Sequence, residues 1–216
     1  SQINRYDGFF IAARQPDTDF SWDKLLSGKF LHVHGGQPEA MLRYGAHRQG
    51  VNLADVDDIE SPGGDVMMAQ WRDGEGDYFH EQGAFPQQLE HDGQAHIVGS
   101  VGEAVGPVAF SSLVCRWDWP ETDDAKRFTA AYRASREWVN TADPVEIARA
   151  EASFFPEMAE SAIASAVGSY QRLGTWSGDI AVEPELYAAA LDVFEHSNMV
   201  GARHSYDDVV IPPPGL

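Results

Sequence analysis

Short apolar segments alternate with helical segments between residues 29 and 98, and this alternation constrains the fold more than any other feature. The clearest unit is an apolar strand over residues 29–34, a turn at Gly35 and Gly36, and a helix over about residues 37–49. Two more strand–helix units and a last strand follow. Strands separated by helices in this order pair in parallel, with the helices packed on the faces of the sheet. The sequence therefore predicts a mostly parallel sheet covered by helices.

The segments on both sides of this middle part have a different character. Residues 6–14 predict an aromatic-rich strand, and residues 105–116 predict a long apolar strand. Helical spacing of apolar residues and proline at helix starts then predict helices over 122–141, from 143, over 156–173 and from 184. We therefore expect a central α/β lobe over residues 16–104. Residues 1–15 and 105–216 would form hinge strands and the helical remainder of the other lobe.

The composition excludes several classes of function. The formal net charge of −19 leaves no basic surface that could displace counterions from nucleic acid, so we expect no nucleic-acid partner and no anionic membrane surface. Cys115 is the only cysteine, which excludes an internal disulfide and a cysteine-rich metal site. Because it lies in an apolar run, we interpret it as a packing residue. No apolar run approaches the ~20 residues of a membrane-spanning helix.

Six stretches in this order are similar to one known family, the substrate-binding proteins of ABC importers of the sulfonate/nitrate/taurine and thiamine-pyrimidine-precursor type. They span most of the chain, and none of them is a catalytic signature. The stretches are Asp7-Gly8-Phe9-Phe10, Phe20-Ser21-Trp22-Asp23-Lys24-Leu25, His34-Gly35-Gly36-Gln37-Pro38, the run from Gly76 to Gly83, Gly99-Ser100-Val101-Gly102-Glu103, and the run from Gly106 to Leu113.

The resemblance implies an α/β fold of the periplasmic-binding-protein type II, with two lobes, mostly parallel sheets and a ligand cleft between the lobes. The hinge strands would lie near residues 9–14 and 102–110. Since family members begin with several strands and helices before the first hinge, the first lobe would be incomplete and helix-rich here. We therefore expect residues before Ser1, or a partner chain or second copy that covers the exposed face of this lobe.

The function implied by the resemblance is that of a solute-binding component of an ABC importer, with a small-molecule ligand and a permease as partners. The location would be periplasmic or the cell surface, with the cytoplasm as the alternative because no signal peptide is visible. No catalytic residue, metal or cofactor is assigned.

Four segments are expected to meet at the cleft, and their side chains are mostly aromatic or uncharged. They contain no arginine, so a sulfonate or nitrate would lack a cationic partner, whereas aromatic rings and a carboxylate suit a neutral or cationic heteroaromatic ligand. We predict a pyrimidine-like or organic-acid ligand. The candidate ligand-binding residues are Phe9, Phe10, His34, Gly35, Gly36, Gln37, Tyr78, His80, Glu81, Gln82, Phe110 and Ser111.

Other functions stay open. An enzyme on the same fold could use His34 or His80 as a general base for pyrimidine-precursor synthesis or for hydrolysis. Such relatives carry a cysteine-rich iron motif, which Cys115 alone cannot supply. A partner-dependent interaction lobe is a further alternative. His32 and His34 face the same way on a strand and with His80 and Glu81 could hold zinc or iron, but no further ligand spacing supports a metal site.

Overall fold

The computed structural model describes residues 1–215 and contains a five-stranded sheet and a mostly helical second part. The strands are β1 (Gln2–Asn4), β2 (Phe9–Ala13), β3 (Lys29–Val33), β4 (Asp57–Ser61), β5 (Tyr78–Gln82), β6 (His96–Ser100) and β7 (Ser111–Ser112). The helices are α1 (Gly36–Arg48), α2 (Gly64–Arg72), α3 (Phe85–His91), α4 (Val101–Val105), α5 (Asp123–Thr141), α6 (Pro144–Glu151), α7 (Glu160–Leu173), α8 (Pro184–His196) and α9 (Tyr206–Val209).

The large sheet has the strand order β4-β3-β5-β2-β6. β3 is parallel to β4 and to β5, whereas β2 is antiparallel to both of its neighbours, β5 and β6. Four strands therefore run in one direction and β2 runs against them. The mostly parallel α/β sheet expected from the alternation is confirmed. The opposed strand is the one that enters the sheet from outside the alternating region.

Helices cover both faces of this sheet, and the strand residues alternate between two cores. Ile11 and Phe30 belong to the core under α1, α4 and α8. Leu31 and Phe79 belong to the core under α2, together with Trp71. Successive side chains of a strand point to opposite faces, so this division assigns every strand residue to one face.

The second part is built from β1, β7 and the helices α5 to α8. β1 and β7 form an antiparallel pair, and Ile147, Ile163 and Val167 form a separate small core between α6 and α7. Arg136 is buried and donates to the carbonyl oxygens of Gln2 and Ser177. Several large apolar side chains of this part are exposed, namely Val114, Trp117, Phe128, Trp138, Phe154 and Phe155.

The chain passes between the two parts twice, around residues 5–8 and 105–110. The two crossings are in contact, since the Val108 N–H donates to the Arg5 carbonyl at 2.8 Å. The Tyr170 hydroxyl of α7 donates to the Gly8 carbonyl at 2.9 Å. The division into two lobes at residues 16 and 104, and the hinge role of the crossings, remain predictions. β2 itself lies inside the five-stranded sheet.

The strand predicted over residues 105–116 is wrong for most of its length. Only Ser111–Ser112 form a strand, and residues 101–105 form the short helix α4. Val108 and Phe110 are buried, but their segment lies between the two parts, where the Ala109 N–H donates to the Leu186 carbonyl. The first part of the apolar run is therefore buried at a crossing and not paired in a sheet, whereas Val114 and Cys115 are exposed, so the packing role expected for Cys115 is wrong. The helix predicted from residue 156 begins at Glu160.

Within residues 1–215, no helix is long and apolar enough to span a bilayer.

Candidate functional site

The carboxyl ends of β3, β4 and β5 meet at one edge of the sheet, because these strands are mutually parallel. Each strand is followed by a turn, at residues 34–35, 62–63 and 83–84, and then by the first turn of a helix. Gly35 has φ +87°, which favours glycine. Open α/β sheets bind ligands at this kind of edge, and helix N-termini there offer free N–H groups.

At the starts of two of these helices, a carboxylate of the chain itself lies close to the backbone. At α1, the Gly35 N–H donates to Glu39 Oε2 at 2.5 Å. At α2, the Glu81 carboxylate lies so near the first residue that a Cβ on Gly64 would be 3.0 Å from Glu81 Oε2. Burial raises the pKa of Glu81, against the hydrogen bond from the Gln82 N–H and with a smaller contribution from Asp65. The edge therefore carries negative charge where a bound anion would otherwise be placed.

On the face of the sheet that α1 covers, Phe9 stacks on His80 with ring centroids 4.7 Å apart. His80 is only 2% exposed, and its Nε2 has no hydrogen-bond partner among residues 1–215. Burial, with a smaller effect of His32, lowers the pKa of His80 to about 3. The imidazole is therefore neutral at physiological pH and shielded from solvent by the Phe9 ring.

The same face carries a cluster of two histidines and a carboxylate at the end of β3. The rings of His32 and His34 stack with centroids 4.3 Å apart. Asp58 Oδ2 lies 3.0 Å from His34 Nε2 and 3.4 Å from His32 Nε2. Burial, and then His34, lower the pKa of His32. The cluster is a compact set of nitrogen and oxygen donors.

On the opposite face, Phe10 stacks on Tyr170 of α7, with centroids 5.8 Å apart. A cavity of about 110 Å³ lies beside Tyr170, between the turn at Gly83 and Ala84 and the helices of the second part. Trp176 also lines it. This is where the edge of the sheet meets the helical part of the chain.

The structure divides the predicted site residues between these two faces. Phe9 and His80 share the α1 face, whereas Phe10 and Glu81 point to the other, because neighbouring residues of a strand alternate. Gln82 ends β5 at the same edge. Gly36 begins α1 directly after the turn at residues 34–35. Because β3 and β5 are parallel, this turn and the turn at residues 83–84 lie at the same edge of the sheet.

Tyr78 and Ser111 lie away from this edge, and the Phe110 side chain does not point into it although its carbonyl contacts Gln37. Tyr78 is at the amino end of β5, with its ring 6.1 Å from that of Phe20, so the structure does not bring it to the edge. Phe110 is buried in the α1 core, and its carbonyl accepts a hydrogen bond from Gln37 Nε2. Ser111 Oγ accepts from the Asn4 N–H at 3.2 Å. Ligand contact by any of the twelve residues stays a prediction.

Sequence reasoning missed Asp58 and Tyr170. Asp58 stands next to Asp57, and neighbouring side chains of a strand point to opposite faces. The two do lie on opposite sides, but the parallel register places Asp58 beside Phe30 and so next to the histidines. Tyr170 lies on α7 and contacts Gly8 and Phe10 from the other end of the chain. Neither contact has a local signal, since each depends on a partner more than 20 residues away.

No family model matches the chain. YtlA of Bacillus subtilis, which is named as a binding protein, is 23% identical over 214 residues, covering 97% of this chain and 64% of YtlA. The chain thus spans somewhat less than two thirds of the length of this curated relative.

Solved structures show the fold. The periplasmic aliphatic sulphonate-binding protein SsuA of Escherichia coli matches with a TM-score of 0.61 and 13% identity, over 100% of this chain and 70% of SsuA. A protein of Methylobacillus flagellatus, named as the periplasmic sulfonate-binding protein of a sulfonate ABC transporter, matches with a TM-score of 0.65 and 17% identity, over 94% and 63%. This chain has the periplasmic-binding-protein fold.

Proposed function

We propose that this chain is a solute-binding component of an ABC importer and that its ligand is a small heteroaromatic, pyrimidine-like molecule or an organic acid. The ligand would lie at the carboxyl edge of the sheet, against the turns at residues 34–36 and 83–84. Closure of the helical part over this edge would follow, about the two crossings. The permease would be the protein partner, and the location periplasmic or the cell surface.

The observation that carries the ligand class is the position of two of the chain's own carboxylates at the starts of α1 and α2. The Glu39 carboxylate accepts a hydrogen bond from the Gly35 N–H, just before α1, and the Glu81 carboxylate lies close to Gly64 at the start of α2. An anionic ligand would have to displace or approach these charges. A neutral or cationic ring can instead accept or donate hydrogen bonds at Glu81 and stack on an aromatic side chain. Of the two ligand classes, we favour the heteroaromatic one.

A sulfonate is the second candidate ligand, because the similar structures include sulfonate-binding proteins. It requires cationic or unpaired N–H donors at the edge. The predicted site contains histidines but no lysine or arginine.

An enzymatic role is less well supported than binding. His80, one of the two proposed general bases, is buried beneath Phe9, and the low pKa that burial gives it makes the imidazole a weak base. His34 is accessible but bonds to Asp58. The similar proteins reported above are named for binding.

A thermal-shift screen with aminopyrimidines, aliphatic sulfonates and dicarboxylates tests the proposal. We expect an aminopyrimidine to raise the unfolding temperature, and chromatography to recover it unchanged. Stabilisation by sulfonates alone would contradict the ligand class. Conversion of the bound compound would contradict the binding role.

His34→Ala tests the placement of the ligand. We expect this variant to lose the thermal shift, because its imidazole forms one side of the first turn. His204→Ala, at an exposed position of the second part, is the matched control and should keep the shift. An unchanged shift in His34→Ala would remove that residue from the site.

A further inference from the structure

The parallel register of β3 and β4 gathers donor atoms on one face of the sheet. His32 is paired with Glu60, and Phe30 with Asp58. Since every second residue points the same way, His32, His34, Asp58 and Glu60 all face the α1 side. This juxtaposition uses two strands that are rigidly hydrogen-bonded to each other. His32, Asp58 and Glu60 are therefore held by the sheet, and His34 follows β3 directly, with its N–H donating to the Ser61 carbonyl at 3.4 Å.

The distances within the cluster suit a single small cation. One ligand atom from each of His32, His34 and Asp58 can be chosen so that all lie within 4.8 Å of one another. Asp58 Oδ2 is 3.0 Å from His34 Nε2 and 3.4 Å from His32 Nε2. Ligands of a tetrahedral zinc ion, with bonds of about 2.0–2.2 Å, are separated by roughly 3.3 Å. The two observed separations bracket this value.

The burial of the donors also fits a metal site with an open side. His32 is 1% exposed, and its Nε2 faces Asp58 Oδ2 at 3.4 Å, whereas its Nδ1, on the side of the ring that would not bind the ion, has no hydrogen-bond partner among residues 1–215. The Asp58 side chain is 40% exposed, which leaves a path from solvent. Glu60 Oε1 lies 3.7 Å from His34 Nδ1, so a second carboxylate is near the ring that would bind the ion through Nε2.

We propose that His32, His34 and Asp58 bind a divalent transition-metal ion such as Zn²⁺, with water completing the coordination. Two imidazole nitrogens and one carboxylate favour such an ion over Mg²⁺ or Ca²⁺, which take oxygen ligands. The site does not depend on the importer proposal, because every ligand comes from the sheet and from the residue that directly follows β3. It shares His34 with the predicted ligand site, so a bound ion would lie at the same edge.

Titration of the metal-free full chain with Co²⁺ tests this site. Co²⁺ replaces Zn²⁺ in sites of this kind and reports its geometry by visible absorption. We expect one equivalent to bind with a visible spectrum, and excess Zn²⁺ to remove that spectrum. Asp58→Asn and His34→Gln should each weaken binding at least about tenfold. Both side chains are partly exposed, so these variants should fold, which circular dichroism checks.

Asp57→Asn is the matched control, because Asp57 is the neighbouring carboxylate on the same strand and points to the opposite face. Its Co²⁺ affinity should equal that of the unchanged chain. The proposal is overturned if the unchanged chain gives no visible Co²⁺ spectrum, or if Asp58→Asn binds as tightly as the unchanged chain. If Asp57→Asn and Asp58→Asn lowered the Co²⁺ affinity equally, the proposal would also be overturned, because binding would then depend on the negative charge of β4 and not on coordination by Asp58. Since no organic ligand enters this titration, its result is separate from that of the thermal-shift screen.

Discussion

Asp7 is a buried carboxyl at the first crossing between the sheet and the helical part. Its Oδ1 accepts the Phe9 N–H at 2.6 Å, whereas its Oδ2 is buried with no hydrogen-bond partner among residues 1–215. Burial raises the pKa of Asp7 from 3.8 to about 7, against the opposing effect of the Phe9 hydrogen bond. At a pH between these two values, the Asp7 carboxyl is therefore protonated in the folded chain and ionised in the unfolded chain.

This shift predicts a pH dependence of stability. Between about pH 4 and pH 7 the unfolded state loses its Asp7 proton while the folded state keeps it, so the free energy of unfolding falls as the pH rises. Asp7→Asn keeps an acceptor for Phe9 but cannot ionise. We expect this variant to be more stable than the unchanged chain at pH 8, by roughly 1–4 kcal/mol, and to differ less at pH 4.

Urea unfolding at several pH values measures this difference. Asp23→Asn, at an exposed position, is the control and should show a difference that does not change with pH. A constant difference for Asp7→Asn from pH 4 to pH 8 would contradict the buried, protonated carboxyl.

At the residue scale, the sequence predicted which side chains lie at the edge of the sheet better than it predicted which side chains they contact. His34 and the two glycines after it follow directly from a strand–turn–helix pattern. The stacking of Phe9 on His80, and the division of Phe9 and Phe10 between opposite faces, follow from the register of β2 against β5. Register is set by the whole sheet, so no local pattern reveals it.

At the element scale, β2 and the 105–116 segment show what the pattern could and could not predict. The strands and helices of residues 29–98 each have their own periodicity and glycine stops, so they were predictable. The direction of β2 was not, because an isolated five-residue strand carries no sign of parallel or antiparallel pairing. The 105–110 segment is apolar because it passes between two packed parts, and burial alone mimics the composition of a strand.

The short helix α4 packs tightly against the first crossing. A Cβ at Gly102 would overlap the carbonyl oxygen of Asp7 and lie 2.8 Å from Leu173 Cδ2. Alanine normally stabilises a helix relative to glycine by about 1 kcal/mol. Here the overlap should outweigh this gain, because the nearest atom belongs to the backbone.

We therefore expect Gly102→Ala to lower the free energy of unfolding by roughly 1–3 kcal/mol. Gly201→Ala is the control, since a Cβ there meets no atom within 4 Å, and it should change stability by less than about 0.5 kcal/mol. Chemical denaturation of both variants gives the comparison. A Gly102→Ala variant as stable as the unchanged chain would contradict the close packing of α4 on the crossing.

At the scale of the whole molecule, the net charge of −19 dominates the electrostatics. Repulsion among like charges destabilises a compact state, and salt screens it. We expect the free energy of unfolding to rise between about 0.01 M and 0.5 M NaCl. The exposed ion pairs, such as Arg116–Asp118, contribute little and cannot reverse this trend. A lower unfolding temperature at the higher salt concentration would contradict the dominance of net repulsion.

The two parts of the molecule were predictable as compositional regions, but the contacts that join them were not. Tyr170 bonds to the Gly8 carbonyl from 162 positions away and stacks on Phe10. The large exposed apolar side chains of the helical part, Val114 and Phe154 among them, agree with the expectation of a covered face. Its covering by another segment, a partner or a second copy remains a prediction.

The central claim is that the carboxyl edge of this sheet binds a neutral or cationic ring in preference to an anion. Isothermal titration of the full chain with an aminopyrimidine and with an aliphatic sulfonate of similar size tests it most directly. We predict that the aminopyrimidine binds at least about tenfold more tightly, a difference of about 1.4 kcal/mol, because the carboxylates of Glu39 and Glu81 lie at the starts of α1 and α2 and repel an anion there. Tighter binding of the sulfonate would contradict the account.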